Sequence, residues 1–297
     1  MPDIVSEDIH TDHERQVGNS MKHKIVLDSS GNLHAFSGVD FASVPLKIIA
    51  GDREFTDSPD ADVKEMVQYL RTYKGRTTTA CPGVGDFLEA FGDAENVYCV
   101  TITSNLSGAY NAARLAADTY LEKHPDRKVY VFDSLSTAGE MALLAEKLRD
   151  LIREKLAFDK IVEQVKAYQQ KTRLMFSLES LHNLAANGRV PAAVAAVSGI
   201  LGIRLIGKAS DVGTLQPTGK ARGEKKLIPE LVRHLKEMGY NGGKVRIDHC
   251  DNLNAASTLK QQLLSLFPAA DIAIGVAGAL CSFYAEQGGL LIGFEVV

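Results

Sequence analysis

Four stretches of the chain gather hydroxyl and carboxyl side chains where an apolar run gives way to a polar turn or helix. They are Asp28-Ser29-Ser30, Thr77-Thr78-Thr79-Ala80-Cys81-Pro82, Thr103-Ser104-Asn105-Leu106-Ser107-Gly108 and Asp133-Ser134. At the carboxyl edge of a parallel α/β sheet, such residues lie where ligands bind. Ser104 or Ser107 would cap the helix that follows, and free N–H groups there attract an anion. Capping is also the ordinary use of Ser, Thr and Asp at such a junction. Several on one edge, with no acid–base pair and no metal cluster, predict anion binding rather than catalysis.

Other chemistries fit less well. Gly202-Ile203-Arg204-Leu205-Ile206-Gly207-Lys208-Ala209 has the GxxxxGK spacing of a phosphate-binding loop. Ala209 stands where Ser or Thr must hold Mg²⁺, and the intervening residues are largely apolar, so a strand or buried turn is the better reading. The eight histidines show no HxxxH or HExxH spacing, and GxSxG is absent. His249-Cys250-Asp251 cannot all face one ion without strain. The cysteines Cys81, Cys99, Cys250 and Cys281 form no CxxC pair, which predicts reduced thiols and a cytoplasmic protein.

The elements that must carry these residues alternate between strands and helices. Lys24–Leu27 reads as a buried strand ending at Asp28. Val44–Ala50 reads as a second strand, with Pro45 pushing it toward a sheet edge. A helix follows from Pro59, with Val63, Met66, Val67, Leu70 and Tyr73 at helical spacing. Val97–Ile102 and Lys128–Phe132 are β-prone, and Leu106, Tyr110, Ala113, Ala117 and Leu121 mark one helix face between them. Such alternation implies a parallel sheet with right-handed crossovers. One long helical region is expected over 136–171, then a strand at Arg173–Ser177. Helices are predicted at 178–187, 191–201, 223–238 and 253–267. Strands are predicted at 244–247, 272–276 and 290–297. The fold class is therefore α/β in two domains, a Rossmann-like parallel-sheet domain over 22–170 and an α+β domain over 171–297.

The chain has 297 residues, 33 Lys+Arg against 37 Asp+Glu and 45% apolar residues. That length suffices for a sizeable core without disulfides or metal. The slightly acidic balance argues against nucleic acid as a partner, and no apolar run is long enough to span a membrane. Residues 1–20 hold five acids and one Arg with no apolar stretch, the reverse of a secretory signal. Residues 1–21 are thus expected to form a polar, disordered extension.

Taken in order, several segments resemble the DegV family. They are KIVLDSSGNL at 24–33, VPLKI at 44–48, TACPGVGDFLEAF at 79–91, ITSNLSGAYNAA at 102–113, FDS at 132–134, LxxLxxxGRV at 181–190 and GKARG at 219–223. The resemblance implies a two-domain α/β protein of bacterial type that holds a long-chain fatty acid in a buried tunnel. It further implies a non-catalytic subunit, needing no cofactor, that presents the acyl carboxylate to a separate fatty-acid kinase. The family's carboxylate-binding Thr falls on Thr79 and its head-group Ser on Ser104, with Ser107 and Gly108 as further head-group candidates. Its Arg of the GR motif falls on Arg189, which with Lys220 and Arg222 is a candidate to face the partner. The sequence departs from the family twice. Ala80-Cys81 replaces the family's Ser-Gln after the Thr, and Tyr284 stands at the position best matched to the family's C-terminal His. A buried tail also needs an apolar channel, since each CH₂ contributes about 0.8 kcal/mol on burial. The helices at 60–74 and 191–201 (Ala192, Val194, Ala195, Val197) offer apolar faces for it. Two other readings stay open, a small-molecule or lipid sensor module and an acyl-transfer enzyme with Ser104 as nucleophile.

Overall fold

The computed structural model describes residues 22–191 and 202–296. The extension expected at 1–21 and the helix expected at 191–201, apart from Pro191, lie outside the described residues. Strands β1 (His23–Asp28), β2 (Asp40–Val44), β6 (Asn96–Thr101) and β7 (Lys128–Asp133) form a parallel sheet in the order β2-β1-β6-β7. Ile25, Val26 and Leu27 are all fully buried. A parallel strand covered by helices on both faces needs such a continuous apolar run. Helix α3 (Ala109–Lys123) buries Tyr120 together with Ala109, Ala113, Ala116 and Ala117, whose small side chains let it approach the sheet closely.

The segment 44–50, expected as one strand, is two. Pro45 has no N–H to give to a ladder, and the Leu46 N–H donates to Ser29 Oγ (3.0 Å) instead. β2 ends before this break at the edge of the parallel sheet, and β3 (Lys47–Ala50) begins after it. β3 lies at the centre of a small antiparallel sheet between β4 (Arg53–Thr56) and β5 (Thr77–Ala80). The triple Thr is therefore a strand and not a loop at the parallel sheet's edge. Three consecutive β-branched residues favour that outcome.

Helix α1 (Val63–Thr72) follows β4, and α2 (Val84–Phe91) follows β5. The long helical region is two helices, α4 (Ala138–Arg153) and α5 (Phe158–Gln169), broken where Lys155 turns left-handed at φ 57°. Six strands form a mixed sheet: β8 (Thr172–Leu178), β9 (Ile203–Ala209), β10 (Leu215–Arg222), β11 (Val245–His249), β12 (Ile272–Val276) and β13 (Leu290–Glu295). Their order is β10-β9-β8-β13-β11-β12. The GxxxxGK segment is strand β9. The helix expected over 178–187 shrinks to α6 (His182–Ala186), because Leu178 still belongs to β8. Helices α7 (Glu224–Glu237), α8 (Leu253–Leu266) and α9 (Ala279–Ala285) complete the described elements.

Helix α4 joins the two large sheets. Arg246 on β11 donates to both carboxylate oxygens of Glu146 on α4 (2.5 and 2.7 Å) and to Asp271 (2.9 Å). At its first turn, α4 touches β13 backbone to backbone through Gly139 and Gly293. The small sheet reaches the other half of the chain through an apolar cluster of Leu46, Ile48, Met66, Leu280 and Phe283. The apolar face of α1 is thus spent on α9 rather than on a channel.

Candidate ligand cavity between the sheets

A cavity of about 340 Å³ lies where the three sheets meet, within the range of small-molecule sites. One wall is the β8 face carrying Leu174, Phe176 and Leu178, with Leu291 beside them. These β8 residues alternate with Met175, which is packed into a separate apolar cluster. A second wall is α9, through Leu280, Cys281, Tyr284 and Ala285. The end of β5 adds Thr79, Ala80 and Cys81, and the loop after β6 adds Thr103, Leu106, Ser107 and Gly108.

The remaining wall comes from the β9–β10 hairpin. Gly213, at φ +77°, presses its backbone onto Thr103 and Leu135, leaving no room for a Cβ. The Asn105 amide donates to Val212 O (2.6 Å) and ties the hairpin down.

Polar groups cluster at one part of this apolar lining. The Thr79 and Tyr284 hydroxyls are 2.7 Å apart. Burial raises the Tyr284 phenol above its ordinary value, so it stays a neutral O–H at physiological pH. Arg189 also lines the cavity, where its Nε donates to Leu106 O (3.2 Å). Exposed Cys81 stands beside Gly108, its Sγ 3.1 Å from where a Cβ on that glycine would lie.

The structure thus brings Thr79, Tyr284, Ser107, Gly108 and Arg189 to one cavity. It does not bring Ser104 there. Ser104 is half-buried, its N–H donates to Asp133 Oδ1 (3.1 Å), and it is not among the described lining residues. Ser107 supplies the turn at the start of α3, accepting from the Ala109 N–H (3.2 Å). Lys220 and Arg222 are exposed in a separate groove between β10 and α7, beside Lys225 and Lys226, so Arg189 does not share a surface pocket with them. Leu46, Cys81 and the α9 residues other than Tyr284 were not singled out from the sequence as lining. Gly278 before α9 and Gly288-Gly289 after it were the signals for that helix.

The carboxyl edge of the parallel sheet does not work as one anion site. Asp28 accepts from the Ser30 N–H (3.1 Å), the Ser30 hydroxyl and the Ile102 N–H (2.7 Å). Asp133 accepts from the Ser104 and Leu135 N–H groups. Two carboxylates have taken the donors that an external anion would need. They hold the loops that reach the cavity, since Ile102, whose N–H donates to Asp28, lines it. Burial pushes the Asp28 carboxyl up to about 6, against those three hydrogen bonds.

Asp248 on β11 has a stronger burial effect, which pushes its carboxyl up to about 7 while Asn32 and the Gly139 N–H oppose the shift. Its Oδ2 has no hydrogen-bond partner among the described residues. Asp248 is neutral in the fold where the unfolded chain is already ionised. Its stabilising contribution is complete below pH 3.8 and is lost as the pH rises to about 7. Asp248→Asn should therefore raise stability at pH 8 relative to pH 5, by about 2–3 kcal/mol, since part of the contribution is already gone at pH 5. Urea unfolding midpoints at the two pH values test this, and an unchanged difference between them refutes it.

No helix among the described residues is long and apolar enough to cross a membrane. The model of the DegV family of uncharacterised proteins matches residues 22–296. A DegV domain-containing protein of Streptococcus pneumoniae is 42% identical over 280 residues, which is 93% of this chain and 100% of that protein. A DegV family protein from Eubacterium eligens, solved loaded with heptadecanoic acid, has a TM-score of 0.91 at 44% identity, over 93% of this chain and 100% of that one. The Streptococcus pneumoniae Fatty Acid Kinase (Fak) B3 protein, solved loaded with linoleic acid, has a TM-score of 0.92 at 42% identity with the same coverage. The three-sheet α/β architecture, the ordered segments and these matches across the described chain lead to one conclusion: the chain belongs to the DegV family.

Proposed function

We propose that this protein is a long-chain fatty-acid carrier that presents the acyl carboxylate to a separate fatty-acid kinase in the cytoplasm. The observation that carries this reading is the Thr79–Tyr284 hydroxyl pair in a mostly apolar cavity. A fatty acid has the matching shape, one anionic head on an apolar tail. In this reading the carboxylate accepts from both hydroxyls, with Arg189 as the nearby positive charge and Ser107 and Gly108 beside it. The fatty acids held by the Eubacterium eligens and Streptococcus pneumoniae proteins support the ligand class, and the kinase named with the second supports the partner. Lys220 and Arg222, exposed and without an ion pair among the described residues, would meet an acidic surface of that partner.

The carrier needs no chemistry of its own and no cofactor beyond its ligand. A nucleophilic serine needs an adjacent base, and no histidine is among the described residues lining the cavity. Denaturing extraction of the purified protein followed by mass spectrometry tests the reading. Near-stoichiometric free fatty acid is the expected result. An acyl group covalently attached to the chain would mean acyl transfer instead, and protein free of lipid from several expression hosts would leave a sensor of another small molecule.

A further inference from the structure

We propose that Phe176 and Gly207 together decide which acyl chains the cavity accepts, an inference that rests on the fatty-acid-binding function above. The two residues face each other across the antiparallel β8–β9 ladder. Phe176 is 3% exposed and stands on the cavity wall between Leu174 and Leu178. Its ring lies across Gly207, filling the space where a Cβ on that residue would stand, and Gln216 O closes the other side at 2.7 Å. An aromatic ring folded over a cross-strand glycine covers backbone that would otherwise be bare. Here it has a second consequence, because the ring lies against the sheet instead of in the cavity.

The glycine therefore holds the channel open. Side-chain torsions occupy discrete staggered wells, so a ring displaced from Gly207 moves to another rotamer over the same face. Leu291 on β13 occupies the flank opposite Gly207, which leaves the cavity as the free direction. Any side chain at 207 would thus place the Phe176 ring where methylenes of a long chain would lie. Each methylene kept out of the apolar site weakens binding about fourfold, so the loss grows with chain length.

The test is competition binding to delipidated protein with saturated acids from dodecanoate to octadecanoate, in the parent, Gly207→Ala, Phe176→Ala and the double variant. In Gly207→Ala the preference for octadecanoate over dodecanoate should fall by about tenfold or more. Phe176→Ala added to it should restore the preference, because the displaced ring is gone. Phe176→Ala alone should move the preference toward the longer acid, and it decides the matter should Gly207→Ala fail to fold. A parent that binds these acids, with variants that keep its preference unchanged, overturns the role of the pair alone. A parent that binds none of them overturns the fatty-acid reading and the role of the pair with it.

Discussion

Removing both hydroxyls of the Thr79–Tyr284 pair is expected to abolish fatty-acid binding at concentrations where the parent saturates. A hydrogen bond to an ionised acceptor contributes roughly 1.5–3 kcal/mol, about ten- to a hundredfold in affinity. Thr79→Val and Tyr284→Phe each delete one donor and keep nearly the same volume. Their hydroxyls lie 2.7 Å apart, so both can turn toward one carboxylate. Because they share that acceptor, the double variant should depart from the sum of the single losses, as coupled residues do. Melting of the lipid-free protein should change little, since in that state the two hydroxyls mainly bond to each other. Isothermal titration with a long-chain acid decides this, and a double variant binding within threefold of the parent would refute it. The tyrosine also predicts a flat pH profile. A histidine there would titrate near pH 6.5, whereas burial raises the Tyr284 phenol from an ordinary value already near 10. Affinity should be constant between pH 6 and 8 where this hydroxyl is concerned.

A single methyl group on Gly293 should be the most damaging small change in the fold. Gly293 sits mid-strand in β13, opposite Arg246 on one side and Leu174 on the other. A Cβ there would overlap the backbone of Gly139 and Glu140 in the first turn of α4. Neither a helix turn nor a central strand can give way as a flexible side chain would. Overpacking costs typically 1–3 kcal/mol and more when no atom can yield, so Gly293→Ala should lose about 3 kcal/mol or more. Gly85→Ala is the control. Its Cβ would meet nothing within 4 Å inside α2, and alanine favours a helix by about 0.5–1 kcal/mol over glycine. Opposite shifts in denaturation midpoint are expected for the two variants. Because Leu174 lines the cavity opposite Gly293, the first should weaken ligand binding as well.

Much of this protein was legible in its residues. Uninterrupted apolar runs at 25–27 and 97–100 specified covered parallel strands, because a strand buried on both faces needs apolar residues at every position. The apolar residues between Gly202 and Gly207 marked β9 as a strand despite its phosphate-loop spacing. The ordered motifs pointed to the family and to Thr79. Pairing across long separations was decided elsewhere. Thr79 and Tyr284 are 205 positions apart. They meet because Pro45 splits one apolar run between two sheets, and because Ile48, Met66 and Phe283 pack α9 against the small sheet. Periodicity says which face of an element is apolar, but not which distant element covers it. The same limit governed the hydroxyls. Ser29, Ser30 and Ser104 read alike with Ser107 as residues of a ligand edge, yet Asp28 and Asp133 hold the neighbouring loops by their backbone N–H groups and leave Ser107 on the cavity lining. A hydrogen bond is committed to whichever partner the folded backbone brings within about 3 Å, and only the tertiary structure brings those partners together.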